Sequence, residues 1–164
     1  MNEQFFHRIV AYFNQHTAAR YALHFVYKAL PLLVFISYPL LLIYAFFYRR
    51  DALLDLVAVP LGVFVLVSLI RIFVNETRPY EKYQKPSVFF KDTSGKSFPS
   101  RHTSSAFIIA LAFLYIHIPA GIAALAVAVL ILLSRIFSGA HYIRDVVGGM
   151  IISIVAGVVF FFMI

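Results

Sequence analysis

His141 and Asp145 are the pair of residues in this sequence best suited to covalent chemistry. Their i and i+4 spacing brings the carboxylate within reach of one imidazole nitrogen if a helix begins near His141. An aspartate that holds one ring nitrogen fixes the tautomer and leaves the lone pair of the other for nucleophilic attack. The alternative is that Asp145 only stabilises the positive end of a helix dipole.

The segment PSRH at 99–102 could bind an anion. A proline that opens a helix leaves the N–H groups of the first turn unpaired, and these groups attract negative charge. Ser100 would add its hydroxyl, and His102 would stand beside the bound group. The alternative for Ser100 is an ordinary N-cap.

Arginines stand at the ends of long apolar runs. An unpaired guanidinium is costly there, so we expect Arg71 to meet an anion inside a helix bundle. Snorkelling to the membrane interface is the alternative. If its helix continues to Thr77, Arg71 and Arg78 share one face and Pro79 ends the helix. Arg135 would face the same pocket from the last turn of another helix.

Together these residues favour a phosphate site over a metal site. The chain has no cysteine, which excludes disulfides and thiolate ligands or nucleophiles, and these polar segments contain no cluster of carboxylates. Adjacent guanidinium groups repel a divalent cation but bind phosphoryl oxygens. We expect no metal ion and no other cofactor at this site. Its candidate residues are His102, His141, Asp145, Arg71, Arg78, Ser100, Arg101 and Arg135.

The elements that carry these residues are predicted to be membrane-spanning helices. Of 164 residues, 62% are apolar and only 13% are Asp, Glu, Lys or Arg, about half the charged share of a soluble domain. A helix needs about 20 apolar residues to cross the hydrocarbon core, so the apolar residues suffice for about five crossings. The sequence predicts one all-α domain over 1–164, a polytopic transmembrane helix bundle.

The predicted spans are 29–48, 52–74, 99–117, 119–137 and 146–164. The uncharged stretch 103–134 is divided because a single helix of that length would need a tilt of roughly 50°. Pro119 and Gly121 supply the break. The polar loop 75–99 and the turn 138–144 then lie on one membrane face, and the loop is the expected active-site loop.

Two further segments have a predicted structural role. Residues 1–20 form an amphipathic helix that lies in the membrane interface or, alternatively, packs on the bundle. The segment lacks a signal-peptide pattern, so we expect it to remain in the mature protein. In the last span, Gly148-Gly149 and Ala156-Gly157 are expected to allow close helix packing.

The polar segments occur in the order RIFVNETRP (71–79), PSRH (99–102) and SRIFSGAHYIRD (134–145). The chain thereby resembles the type 2 phosphatidic acid phosphatase superfamily of integral-membrane lipid phosphatases, which also includes vanadium haloperoxidases. That family's signature is Lys-x6-Arg-Pro, Pro-Ser-Gly-His and Ser-Arg-x5-His-x3-Asp. Two positions depart from it, because Arg71 replaces the lysine and Arg101 replaces the glycine.

The resemblance implies metal-independent hydrolysis of a lipid phosphate or diphosphate through a phosphohistidine intermediate. His141 would attack phosphorus, Asp145 would orient and stabilise its ring, and His102 would protonate the leaving oxygen and later activate water. The phosphoryl group would be held by Arg71, Arg78, Ser100 and Arg135, and Arg101 would add a side-chain contact or read the head group.

Undecaprenyl diphosphate is the first expected substrate, and phosphatidylglycerophosphate or phosphatidic acid is the alternative. A hypothesis of another class is a non-catalytic lipid-phosphate binder or transporter. The loop 80–98 would select the head group through Tyr80, Lys82, Tyr83 and Lys85, unless it is only a solvated basic loop near anionic lipid. The expected partners are the lipid substrate and the membrane, with no nucleic acid, and the sequence does not indicate an oligomeric state.

Basic residues give opposing indications of orientation. Arg49 and Arg50 in a short turn predict that this turn is cytoplasmic, which places the active face on the outer side of a bacterial cell membrane. Lysines in the long loop favour the opposite orientation, and they are Lys82, Lys85, Lys91 and Lys96.

Overall fold

The computed structural model describes residues 1–90 and 93–163, and every regular element in those ranges is helical. The helices are α1 (Glu3–Gln15), α2 (Thr17–Tyr48), α3 (Leu53–Val74), α4 (Pro79–Lys82), α5 (Arg101–Ile116), α6 (Ile118–Phe137) and α7 (Ile143–Val158). A 3-10 turn, Arg50–Ala52, joins α2 to α3, and a π-helical turn, Val159–Met163, extends α7. The predicted all-α class is confirmed.

Within the described residues, four helical segments are long and apolar enough to cross a membrane. They are Thr17–Tyr48, Arg50–Lys82, Ile118–Phe137 and Ile143–Met163. The remaining predicted span is α5, a shorter apolar helix of 16 residues that packs against α2, α3, α6 and α7. The five predicted spans therefore correspond to four long helices around a short central one.

The chain reverses between α5 and α6 where the sequence predicted a break. His117 separates the two helices, and its Nδ1 atom accepts a hydrogen bond from the Ala120 amide at 3.3 Å. Gly121 permits the close turn, because a Cβ atom there would lie 2.2 Å from the Leu114 Cα atom. The long loop and the turn after α6 consequently lie at the same end of the bundle.

Three spans begin two or more residues away from the predicted start. The first span begins at Thr17 rather than at residue 29, because the helix continues through the charged residues before its apolar part. The third and fifth spans begin at Arg101 and Ile143 rather than at 99 and 146. Lys91 and Ile164, which belong to the predicted basic loop and last span, lie outside the described residues.

The end of α3 corrects a further prediction. Asn75 has a left-handed backbone with φ of 40°, and its amide donates to the Arg71 carbonyl at 3.1 Å, which ends the helix after Val74. Arg71 and Arg78 therefore do not share a helix face. Pro79 begins α4 instead of ending α3.

Helix α1 packs on the loop end of the bundle. Its Phe6 side chain is fully buried, and the ring centroid lies 5.4 Å from that of Tyr83. Gly139 makes room for this ring, since a Cβ atom there would lie 2.7 Å from Phe6 Cε2. This packing agrees with the second interpretation of residues 1–20, and their location in a membrane interface stays a prediction.

Helices α5 and α7 pack closely, as predicted for Gly149 and Gly157, whereas Gly148 faces the Phe98 ring of the loop. A Cβ atom on Gly149 would lie 2.7 Å from the Ser100 carbonyl oxygen. Farther along the two helices, a Cβ atom on Gly157 would lie 2.5 Å from Leu111 Cδ1. A buried hydrogen bond of 2.8 Å joins the hydroxyls of Ser104 and Ser153. The starts of these two helices are thereby held side by side.

Candidate active site

The predicted contact between His141 and Asp145 is present. Nδ1 of His141 lies 3.4 Å from Oδ2 of Asp145, and both side chains are buried. His141 precedes α7, whereas Asp145 lies in its first turn and accepts a hydrogen bond of 2.9 Å from the Tyr142 amide. A proton on Nδ1 would be held by the carboxylate, which directs the lone pair of Nε2 away from Asp145.

Arg78 lies on the other side of the His141 ring. Its Nη1 atom is 3.4 Å from His141 Nε2, and its Nε atom donates to the Gly95 carbonyl at 3.0 Å. Glu81 accepts hydrogen bonds from the amides of both Arg78 and Gly95, at 2.7 and 3.0 Å. These contacts tie the loop to the turn that bears His141 and keep the guanidinium buried beside the imidazole.

Ser97 is a site residue that the sequence analysis missed. Its hydroxyl donates a hydrogen bond to Asp145 Oδ2, and the side chain is fully buried. Its only signal in the sequence was a position just before the PSRH segment. The loop and the Tyr142 amide therefore both fix the carboxylate that contacts His141.

Arg71 points into the bundle rather than snorkelling. Only 5% of the residue is exposed, and its Nη1 atom donates to the Pro99 carbonyl at 2.7 Å. The guanidinium also lies within electrostatic range of Arg78, Arg101 and Asp145. Arg71 thus holds the PSRH segment through the Pro99 carbonyl and adds positive charge to the site.

Ser100 occupies the N-cap position of α5, but its side chain makes no capping hydrogen bond. Its hydroxyl accepts a hydrogen bond of 3.1 Å from Thr103, and its amide donates to the Asp145 carbonyl at 2.9 Å. The ordinary N-cap interpretation is therefore wrong for the side chain. The first N–H groups of α5 have no partner within the helix, as an anion site requires.

Arg101 and His102 are exposed at the first turn of α5. Both line a cavity of about 470 Å³ whose walls are otherwise mostly apolar. The structure therefore separates the predicted residues into a buried group around His141 and an exposed pair at the entrance of this cavity.

Arg135 makes its strongest contacts with α2. Its Cζ atom lies 3.9 Å from the centroid of the Tyr27 ring, and Nη2 donates to the Tyr27 carbonyl at 3.0 Å. The buried Nε atom has no hydrogen-bond partner within the described residues. The charge lies within electrostatic range of Arg78. A phosphate contact by Arg135 stays a prediction.

The loop tyrosines have partners of their own. Tyr80 donates a hydrogen bond to the Thr93 carbonyl at 2.5 Å, and Tyr83 donates to the Met1 carbonyl at 3.0 Å. Lys82 and Lys85 are exposed. Their proposed role in head-group selection stays a prediction.

The site offers donors for an anion rather than ligands for a cation. Among the described residues, no group of three or more His, Cys, Asp or Glu side chains could hold a metal ion. The Arg78 guanidinium instead lies against the His141 ring, and α5 begins beside Asp145, whose carbonyl accepts a hydrogen bond from the Ser100 amide. This arrangement can bind a phosphoryl group next to a buried nucleophile.

The solved structures similar to this chain include the following two. One is the crystal structure of Aquifex aeolicus LpxE, with a TM-score of 0.69 and 28% identity over 81% of each chain. The other is the crystal structure of the first transmembrane PAP2 type phosphatidylglycerolphosphate phosphatase from Bacillus subtilis. It has a TM-score of 0.58 and 26% identity, over 98% of this chain and 90% of that one.

A curated relative is the undecaprenyl-diphosphatase BcrC of Bacillus subtilis (strain 168), which is 32% identical over 97 residues. The alignment covers 59% of this chain and 50% of BcrC, so the chain spans about half the length of this relative. The model of the PAP2 superfamily matches residues 52–164, which include every candidate residue of the site. The chain belongs to the PAP2 superfamily.

Proposed function

We propose that this protein is an integral-membrane lipid phosphatase that acts through a phosphohistidine on His141. The observation that carries the proposal is the position of the His141 ring, with Nδ1 facing Asp145 and Nε2 facing Arg78 at 3.4 Å each. Membership in the PAP2 superfamily supports the same chemistry. The arginines supply the positive charge that the phosphoryl group needs, so no step requires a metal ion.

In the first step, Nε2 of His141 attacks phosphorus and the bond from phosphorus to the leaving oxygen breaks. His102 gives its proton to that oxygen, and Asp145 stabilises the positive charge that forms on the ring. Arg71, Arg78, Arg135 and the first turn of α5 hold the phosphoryl oxygens. A guanidinium already in place has little reorganisation to undergo as charge develops.

In the second step, water attacks the phosphohistidine and the phosphorus–nitrogen bond breaks. His102, now unprotonated, takes the proton from water, and the electron pair of the broken bond returns to Nε2. Inorganic phosphate leaves and both histidines recover their starting protonation states.

We propose undecaprenyl diphosphate as the substrate, supported by the similarity to BcrC. Phosphatidylglycerophosphate is the second candidate, favoured by the structural similarity to the Bacillus subtilis phosphatase. A non-catalytic lipid-phosphate binder would need the same cations but no contact between His141 and Asp145. The buried contact therefore favours an enzyme.

The proposal is tested by measuring phosphate release from the purified protein with prenyl diphosphates and phosphatidylglycerophosphate in EDTA. We expect His141→Ala to abolish turnover. The matched control is His117→Asn, at the opposite end of the bundle, where asparagine preserves the N-cap acceptor of α6. Full activity in His141→Ala, or an inactive wild-type protein with every substrate, would refute the proposal.

We further propose that the site faces the outer side of a bacterial cell membrane, because the Arg49-Arg50 turn lies at the opposite end of the bundle. The chain lacks cysteine, so single cysteines introduced at Ser94 and Asp51 report on the two ends. An impermeant maleimide is expected to label Ser94→Cys in intact cells and Asp51→Cys only after permeabilisation. The reverse pattern would place the site in the cytoplasm.

A further inference from the structure

The cavity beside the candidate site runs along one face of α5. Arg101, Ser105 and Ile109 follow one another at helical spacing and all line it, so the cavity extends about 12 Å along the helix axis. The opposite walls include Leu32 and Phe35 of α2. The polar end of the cavity is therefore at the first turn of α5, and its apolar end lies farther along α5, near Ile109.

The position of His102 indicates which part of the substrate occupies this cavity. In the proposed function, on which this inference rests, His102 protonates the leaving oxygen. His102 lines the polar end of the cavity, so the leaving group lies on that side. A lipid chain attached to the leaving oxygen would continue along the apolar walls. Burying its hydrocarbon surface there lowers the free energy of the bound state.

Arg101 stands at the same end, in electrostatically unfavourable surroundings. It occupies the first turn of α5, where the helix dipole is positive, and it lies within electrostatic range of the Arg71 guanidinium. The side chain is exposed and makes no hydrogen bond or ion pair within residues 1–90 and 93–163. A bound anion beyond the transferred phosphoryl group would offset this repulsion.

We propose that Arg101 binds the second phosphoryl group of a lipid diphosphate and makes the site selective for diphosphates over monophosphates. When a diphosphate is cleaved, the bond from the terminal phosphorus to the bridging oxygen breaks. The leaving group is then a lipid monophosphate, whose negative charge Arg101 contacts. When a monophosphate is cleaved, the leaving group is a neutral alcohol after protonation by His102, and Arg101 has no charge to bind. The contact strengthens as charge passes from the breaking bond to the second phosphoryl group, which a monophosphate lacks, so it accelerates only the diphosphate reaction.

The test compares farnesyl diphosphate with farnesyl phosphate, two substrates with the same chain that differ by one phosphoryl group. Arg101→Gln removes the charge and keeps a long side chain suited to a helix. We expect kcat/KM for the diphosphate to fall by about 10- to 100-fold, as for the loss of a charge-assisted hydrogen bond. The monophosphate reaction is expected to change by less than about threefold. The ratio of the two rates comes from one protein sample, so it does not depend on the folded fraction.

Arg8→Gln is the matched control, since it removes a positive charge from α1 at the same end of the molecule. It is expected to leave the ratio unchanged, and Arg101→Lys is expected to recover part of the diphosphate rate. An equal loss on both substrates, or no loss on either, would overturn the role of Arg101. A wild-type protein without activity, or an active His141→Ala variant, would instead overturn the proposed function.

Discussion

The Nη1 atom of Arg78 lies 3.4 Å from the Nε2 atom of His141, so a buried guanidinium faces the ring nitrogen opposite the one that contacts Asp145. The same guanidinium donates to the Gly95 carbonyl in the long loop. A positive charge is therefore fixed at the attacking atom before any substrate binds, and its position depends on the loop. Changes to this arginine should affect chemistry and loop structure together.

Replacement of Arg78 by lysine is expected to lower kcat/KM by about 100- to 1000-fold, the usual effect of removing a preorganised donor. Lysine keeps the charge but cannot contact Gly95 and the phosphoryl group at once. The measurement is phosphate release at saturating and limiting substrate. Arg8→Lys, on the exterior helix α1, is the control, and activity of Arg78→Lys within threefold of wild type would contradict the assignment.

Ser97→Ala is expected to lower kcat by about 10- to 100-fold, because it removes a buried hydrogen bond to a charged carboxylate. KM should change little, since Ser97 acts on the substrate only through Asp145 and His141. Ser97→Thr keeps the hydroxyl and should restore most of the rate.

The control for Ser97 is Ser87→Ala, another buried serine of the loop, whose hydroxyl donates to the Phe89 carbonyl. Its hydrogen bond stays within the loop and does not reach Asp145, so its kcat per folded molecule should match wild type. A rise in KM together with the fall in kcat, or no recovery with threonine, would show that Ser97 is merely structural.

Gly149→Ala is expected to destabilise the protein by about 1–3 kcal/mol, because the new methyl group would overlap the Ser100 carbonyl oxygen. Gly62→Ala in α3 is the matched control, since nothing lies within 4 Å of its added Cβ atom. That change should be neutral or stabilising by up to about 1 kcal/mol. Thermal unfolding in one detergent, followed by circular dichroism, measures both, and an equal effect of the two substitutions would contradict the packing argument.

Hydropathy and helix-breaking residues predicted the helices well, because the membrane constrains apolar length directly. The break at His117 and the pairing of His141 with Asp145 were both readable from local spacing. The end of α3 could not be predicted in this way, because a left-handed residue such as Asn75 is one of several ways to stop a helix before a proline. The contacts of Ser97 with Asp145 and of Arg135 with Tyr27 join distant parts of the chain, and no local pattern identifies them.

The packing of Phe6 against Gly139 has a consequence for biogenesis. Helix α1 is synthesised before the other helices, yet its partner Tyr83 follows three further helices, α2 to α4, and its partner Gly139 follows five, α2 to α6. Helix α1 therefore docks late in assembly. Its docking closes the long stretch of chain between Phe6 and Gly139, which costs conformational entropy. The end of the bundle that carries His141 therefore stays uncovered by α1 until the turn around Gly139 has formed.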